Sequence, residues 1–257
     1  MSGSANAVRT ALGDVGIDSG DTVLVHSALS GMACEPATLL EALLDVLGSD
    51  GTLVVPTFTP TFRHESPDGV FDLQESPSEV GYFTELVRRH PESTRNVDPT
   101  HSFAALGARA EEFGRLHARS SYDRDNVLGR LHDLAAEVLA VGLERFGRRM
   151  TFFHYVEQQE GVARQGWTYR HEKKFPGTAV VNGKAFAVQH TIHVQNHEQG
   201  VTYDFAPLGD ALEAAGLTRH ARAVNKEFVA WNTATAYDRL KAVIVSEPER
   251  VYSFGDD

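Results

Sequence analysis

His154 and Glu157 stand three positions apart in Thr151-Phe-Phe-His-Tyr-Val-Glu157. Phe152, Phe153 and Val156 follow at helical steps and Thr151 suits an N-cap, so the segment is expected to open a helix. In a helix, residues three apart share a face and can share one hydrogen bond. A histidine steered by a carboxylate is a general base that titrates near neutral pH. Surface helices carry this spacing without function, so its setting has to decide. The setting is a short loop after the apolar run Val138-Leu-Ala-Val-Gly-Leu143, and α/β sheets place their chemistry at such strand ends.

Other residues invite other chemistry. His190, His193 and His197 have a spacing that zinc can use when the ligands converge. The segment reads as a strand, where residues three apart face opposite ways. These histidines are therefore expected on an exposed hairpin, and no metal site is assigned. Ser27 or Ser102 with His154 could be recast as a hydrolase's nucleophile and base, but no G-x-S-x-G elbow occurs. No H-E-x-x-H and no glycine-rich nucleotide fingerprint occurs either. A binding module without chemistry is the bland alternative, separated by testing for turnover.

The elements that must position these residues follow a βαβ pattern. Thr22-Val-Leu-Val-His26 and Thr52-Leu-Val-Val-Pro56 are short buried strands. Between them Leu39, Leu40, Leu43, Leu44 and Leu47 form one stripe of a helix from Pro36. Residues 5–18 predict an opening helix, and 63–78 an irregular segment with Pro67, Gly69 and Pro77 that covers or lines a site. Val80–Arg89 and Ala108–His117 are expected as helices, Phe103–Leu106 as a strand, and 119–129 as a polar loop. Asn182-Gly183 between two β-forming runs predicts a hairpin with a type I′ turn. Asp210–Ala215 and Thr233–Leu240 look helical, and Ala242-Val-Ile-Val245 looks like a late strand. The fold expected is α/β, a mainly parallel sheet between helical layers, with an antiparallel hairpin added in the C-terminal part. One domain over 1–257, with the hairpin inserted around 167–197, is the economical division.

Bulk properties narrow the partners. A formal net charge of −11 argues against nucleic acid and favours a cationic ligand if the acids gather at a cleft. Asp72, Glu75 and Glu79 are the candidate amine-recognising carboxylates, with Asp68 beside them. No apolar run spans a membrane and no signal peptide opens the chain, so a cytoplasmic protein is expected. The single cysteine, Cys34, fits a reducing compartment.

Three blocks together carry a resemblance. They are Val25-His-Ser-Ala-Leu29 with Gly51-Thr-Leu-Val-Val-Pro-Thr-Phe-Thr59, then Arg95 with Pro99-Thr-His-Ser-Phe-Ala104, and finally Thr151 to Glu157. In this order they resemble the aminoglycoside 3-N-acetyltransferase family (the antibiotic N-acetyltransferases, distinct in fold from the GNAT enzymes), over most of residues 5–165. The resemblance implies acetyl-CoA as cosubstrate and a small-molecule primary amine, that of an aminoglycoside, as acceptor, and it allows a homodimer. The same chemistry on an amino-sugar or natural-product amine is the alternative. It implies His154 as general base, Glu157 as its orienting carboxylate, and His26, Ser27, Leu29, Ser102 and Phe103 along the coenzyme channel. Pantetheine is a thin amide chain that small hydroxyls can hold, which adds Thr57 to that set. Thr151, or a helix-start N–H, is a candidate donor to the substrate's oxygen. The chain departs from the family at Asp98, where a histidine is common, and in the aromatic Phe152, Phe153 and Tyr155.

Overall fold

A computed structural model describes residues 3–162 and 169–254. At its centre, β1 (Thr22–Ser27), β2 (Thr52–Pro56) and β6 (Glu137–Val141) run parallel, with Thr22 opposite Thr52 and Ser27 opposite Val141. Their sequences are apolar on both sides because both faces are covered. Leu24, Val54, Val138 and Ala140 face one core, while Val23, Val25, Leu53, Val55, Leu139 and Val141 face the other.

Antiparallel strands extend this centre. On one side β5 (Phe103–Gly107) pairs with β2, and β4 (Thr94–Arg95) with β5. On the other, β11 (Lys226–Asn232) pairs with β6, and β10 (Arg219–Ala223) closes the edge. One face is covered by α1 (Gly3–Asp14), α2 (Pro36–Leu47) and α4 (Tyr82–Arg88), which contribute Leu12, Leu39, Leu43, Phe83 and Val87. The other carries α5 (Ala110–Gly114), α6 (Val127–Asp133), α7 (Thr151–Val156), α8 (Ala206–Ala214) and α9 (Thr233–Ser246). The result is an α/β/α arrangement.

The C-terminal part adds the hairpin β7 (Arg170–Val181) and β8 (Lys184–Gln195), with Asn182 and Gly183 at φ 50° and 73° in its turn. Residues 167–168 of the expected insertion lie outside the described residues. The short β3 (Val70–Asp72) pairs with β7, so the irregular segment 63–78, entered by α3 (Pro60–His64), is tied to the hairpin. Their own small core is Phe62, Phe71, Phe175, Ala179 and Ile192. Finally β9 (Val201–Tyr203) pairs with β12 (Tyr252–Phe254).

Two expectations are corrected. Ala242–Val245 is the last turn of α9, not a strand. A short apolar run suits either state, and here Leu240, Val243 and Ile244 continue the buried stripe begun at Ala236. The polar loop expected over 119–129 gives way at Asn126, whose side chain accepts the Val127 N–H and starts α6.

Candidate active site

β1, β2 and β6 all end at the same edge of the sheet, and α7 begins just beyond β6. The N-cap position of α7 is held by Met150 and not Thr151. The Thr151 hydroxyl is engaged instead by His26 Nε2, at 2.9 Å, which joins the ends of β1 and α7. Burial lowers the His26 pKa to about 4, so this contact involves a neutral imidazole.

One turn along, His154 Nδ1 lies 3.1 Å from Glu157 Oε2, the geometry expected of residues three apart. The chain then widens into a π-helical turn, Glu157–Val162. Glu157 is buried at the junction. The Arg170 guanidinium meets its Oε1 at 2.5 Å, and the Tyr252 hydroxyl donates to the same oxygen. Burial alone would raise the Glu157 carboxyl, but Arg170 and the His154 hydrogen bond outweigh it and bring it down to about 2. Burial also raises the Tyr252 phenol, with the Glu157 carboxylate adding to it.

An ionised Glu157 takes the proton-bearing nitrogen of His154, so Nδ1 donates and Nε2 keeps its lone pair. Arg170 Nη2 also approaches Nδ1, at 3.1 Å, but that nitrogen cannot accept while it donates to Glu157. Burial lowers the His154 pKa against the pull of Glu157. Its side chain keeps 20% exposure, enough for Nε2 to meet a ligand.

Two clefts lie near this histidine. One, of about 660 Å³, is lined by His154, Tyr122, His101, Arg170 and the inner face of β8 around His193. The other, of about 520 Å³, is lined by His26, Ser27, Pro56, Phe58, Glu79 and Thr151. Phe58 of the second touches His101 of the first edge-on, at 4.7 Å between ring centres. Tyr122 lies 5.3 Å from the His101 ring and 5.4 Å from that of His154.

Several sequence-derived candidates take other positions. His26, Ser27 and Thr151 line the narrower cleft. Thr57 and Ser102 are buried behind the strand ends, 3.1 Å apart, and both meet the Arg95 guanidinium. Phe103 is buried in the core, and Leu29 packs partly buried against the opposite one. Among the described residues, neither Ser27 nor Ser102 is hydrogen-bonded to His154, which leaves the hydrolase reading without its nucleophile. Asp72 and Glu75, expected at the amine, do not line the His154 cleft: the Asp72 carboxylate accepts the N–H groups of Gln74 and Glu75 in its own turn. Glu75 faces a separate groove with Arg88 and Arg89. Glu79 lines the narrower cleft and accepts the Thr61 N–H at 3.2 Å.

His190, His193 and His197 form no ligand set among the described residues; His193 Nδ1 instead meets Gln158 Oε1 at 3.0 Å. His190 joins Asp98 and His101, whose ligand atoms lie within 4.8 Å of one another. Most of these atoms are engaged, while Asp98 Oδ2 is buried without a hydrogen-bond partner among the described residues. Asp98 Oδ1 accepts from the N–H groups of Thr100 and His101 and lies 3.2 Å from His190 Nε2. The Ser121 hydroxyl bridges His190 and His101 at 2.8 and 3.3 Å. The cluster stiffens the wall behind His101. Burial lowers the His101 pKa to about 3 against the attraction of Asp98, so the His101 ring is neutral.

Sequence reasoning missed Phe58, Tyr122 and Tyr252. Phe58 and Tyr122 lie in segments read only as loops, and Tyr252 reaches Glu157 from a distant strand with no local signal.

A family model for aminoglycoside 3-N-acetyltransferase matches residues 24–244. The chain is 32% identical over 173 residues to aminoglycoside N(3)-acetyltransferase IX of Micromonospora chalcea, covering 58% of this chain and 60% of that protein. It is 31% identical over 163 residues to aminoglycoside N(3)-acetyltransferase VII of Streptomyces paromomycinus, covering 56% of each. These matches span three fifths or less of the curated relatives' length. Over nearly the whole chain the fold is similar to that of aminoglycoside acetyltransferase AAC(3)-Xa, with a TM-score of 0.79, 26% identity, and 94% of this chain and 92% of that one covered. A similar fold is seen in AAC-IIIb in a binary complex with CoASH, with a TM-score of 0.81, 20% identity, and 95% and 97% covered.

Proposed function

The chain belongs to the aminoglycoside 3-N-acetyltransferase family, and from that membership we propose that it moves an acetyl group from acetyl-CoA to a primary amine of an aminoglycoside or a related amino sugar. The observation that carries this reading is His154, paired with the buried Glu157 and lining the wider of two neighbouring clefts at the strand ends. The narrower cleft, past Ser27 and Thr151, suits a pantetheine arm, and the wider one suits the amine. The amine nitrogen attacks the thioester carbonyl as His154 Nε2 takes its proton. The C–N bond forms, the C–S bond breaks, and the proton passes to the departing thiolate. Glu157 stays ionised throughout and steadies the imidazolium. Such a protein works in the cytoplasm, where acetyl-CoA is available, in keeping with Cys34 as its only cysteine.

Acetyl-CoA at a hundredfold excess over its Kd should raise the melting temperature by roughly 5–10 °C, since only the folded state binds it. Ser27→Leu narrows the channel and should remove most of that shift. An unmoved melting curve in the wild-type protein would rule out the coenzyme channel.

The base must be neutral to accept a proton. Its pKa lies below the ordinary histidine value because of burial, so the acid limb of kcat should fall below pH 6.5. Glu157 opposes that lowering, so Glu157→Gln should move the limb to still lower pH. A kcat profile from pH 4 to 8 reads both; a limb above 6.5 would contradict the assignment of the base.

A further inference from the structure

Among the described residues, cations outnumber carboxylates in the lining of the wider cleft. The protein carries a formal net charge of −11, yet Arg63, Arg170 and Lys173 line this cleft with several histidines, and Glu198 is the one carboxylate lining it among the described residues. Of the nearby acids, Glu157 is held by Arg170, Glu172 by Arg119 at 2.7 Å, and Asp123 by the Ser120 N–H and Gln158. Asp98, outside the lining and behind His101, binds backbone N–H groups through Oδ1 and keeps Oδ2 buried without a hydrogen-bond partner among the described residues.

Arg170 is spent on Glu157, which leaves Arg63 and Lys173. Arg63 ends the short helix α3, and its charge is near enough to His101 to disfavour protonation of that ring. Lys173 lies over the Phe175 ring at 5.5 Å. Neither has a carboxylate partner among the described residues. A polycation entering here would set several ammonium groups against these two cations, with Glu198 as the one lining carboxylate among the described residues to receive them. An acceptor with one amine and one anionic group would instead place the amine at His154 and the anion between Arg63 and Lys173, where charge-assisted hydrogen bonds are strong.

We propose that the amine acceptor carries a negatively charged group, a carboxylate or a phosphate, which Arg63 and Lys173 bind at the mouth of the wider cleft. This rests on the acetyl-transfer reading above and narrows its substrate class.

The test compares glucosamine 6-phosphate, glucosamine and the polycation sisomicin as acceptors, read by thiol release from acetyl-CoA. Glucosamine 6-phosphate should have the highest kcat/KM, exceeding glucosamine by about 10²-fold, and its KM should rise with ionic strength. Arg63→Gln and Lys173→Gln should each lower the ratio of the two sugars roughly tenfold, mainly through KM. Preference for sisomicin, or a ratio indifferent to both substitutions, would overturn the proposal. If no amine is acetylated, melting curves with each sugar decide. Stabilisation by glucosamine 6-phosphate alone, lost in Arg63→Gln, would keep the anion site while removing acetyl transfer; no stabilisation by either would remove both.

Discussion

Replacing His154 with alanine should lower kcat by about 10²–10⁴-fold, the range general base catalysis supplies. The size follows from the site's construction. With Nδ1 held by Glu157, Nε2 is the one nitrogen of this ring left to accept a proton. His101, the neighbouring imidazole, is a far weaker base, because burial lowers its pKa to about 3. Acetyl-CoA should stabilise the variant almost as well as the wild type, since the narrower cleft is lined by other residues. Steady-state rates and acetyl-CoA melting shifts on the same preparation check both halves. Near-normal turnover by a folded His154→Ala protein would move the base elsewhere.

Glu157→Ala should cost about 3–5 kcal/mol of folding stability, the usual effect of removing one partner from a buried ion pair. Arg170 is 9% exposed in its side chain, so its charge would lose its counterion where water reaches it poorly. The Tyr252 hydroxyl would lose its acceptor as well. In the double variant Glu157→Ala, Arg170→Met the stranded charge is gone, and part of the loss should return. Denaturant titrations of the two variants settle this; equal loss in both would mean that packing, not charge, is responsible. The acid side follows the same logic. The Glu157 carboxyl falls from an ordinary value of 4.5 to about 2 on folding, so its contribution is complete above that ordinary value and fades as pH drops towards 2.

What the sequence revealed was local. β1, β2 and β6 could be read because each is an unbroken apolar run, and α2 because its leucines keep helical spacing. The hairpin turn was legible because Asn182-Gly183 suits positive φ, and His154 with Glu157 because a helix fixes what three positions apart means. The turn before β11 uses Val224 and Asn225 at φ 47° and 61°, and a β-branched residue there carries no turn signal. Asp72 and Glu75 were plausible by charge alone, but composition does not say that a carboxylate will be used up by its own turn. The coenzyme-channel set divided by depth. Ser27 ends a strand facing a cleft, whereas Ser102 sits at the buried start of β5, and the two look alike in sequence.

Tyr252, whose hydroxyl donates to the Glu157 carboxylate, stands 95 positions beyond it. The ribosome therefore delivers His154 and Glu157 well before it delivers this restraint. A nascent chain can lay down the parallel centre and α7 while Glu157 still lacks its phenolic partner, because β12 has yet to pair with β9. A chain stopped short of β12 therefore holds His154 and Glu157 together with the Tyr252 hydrogen bond still missing.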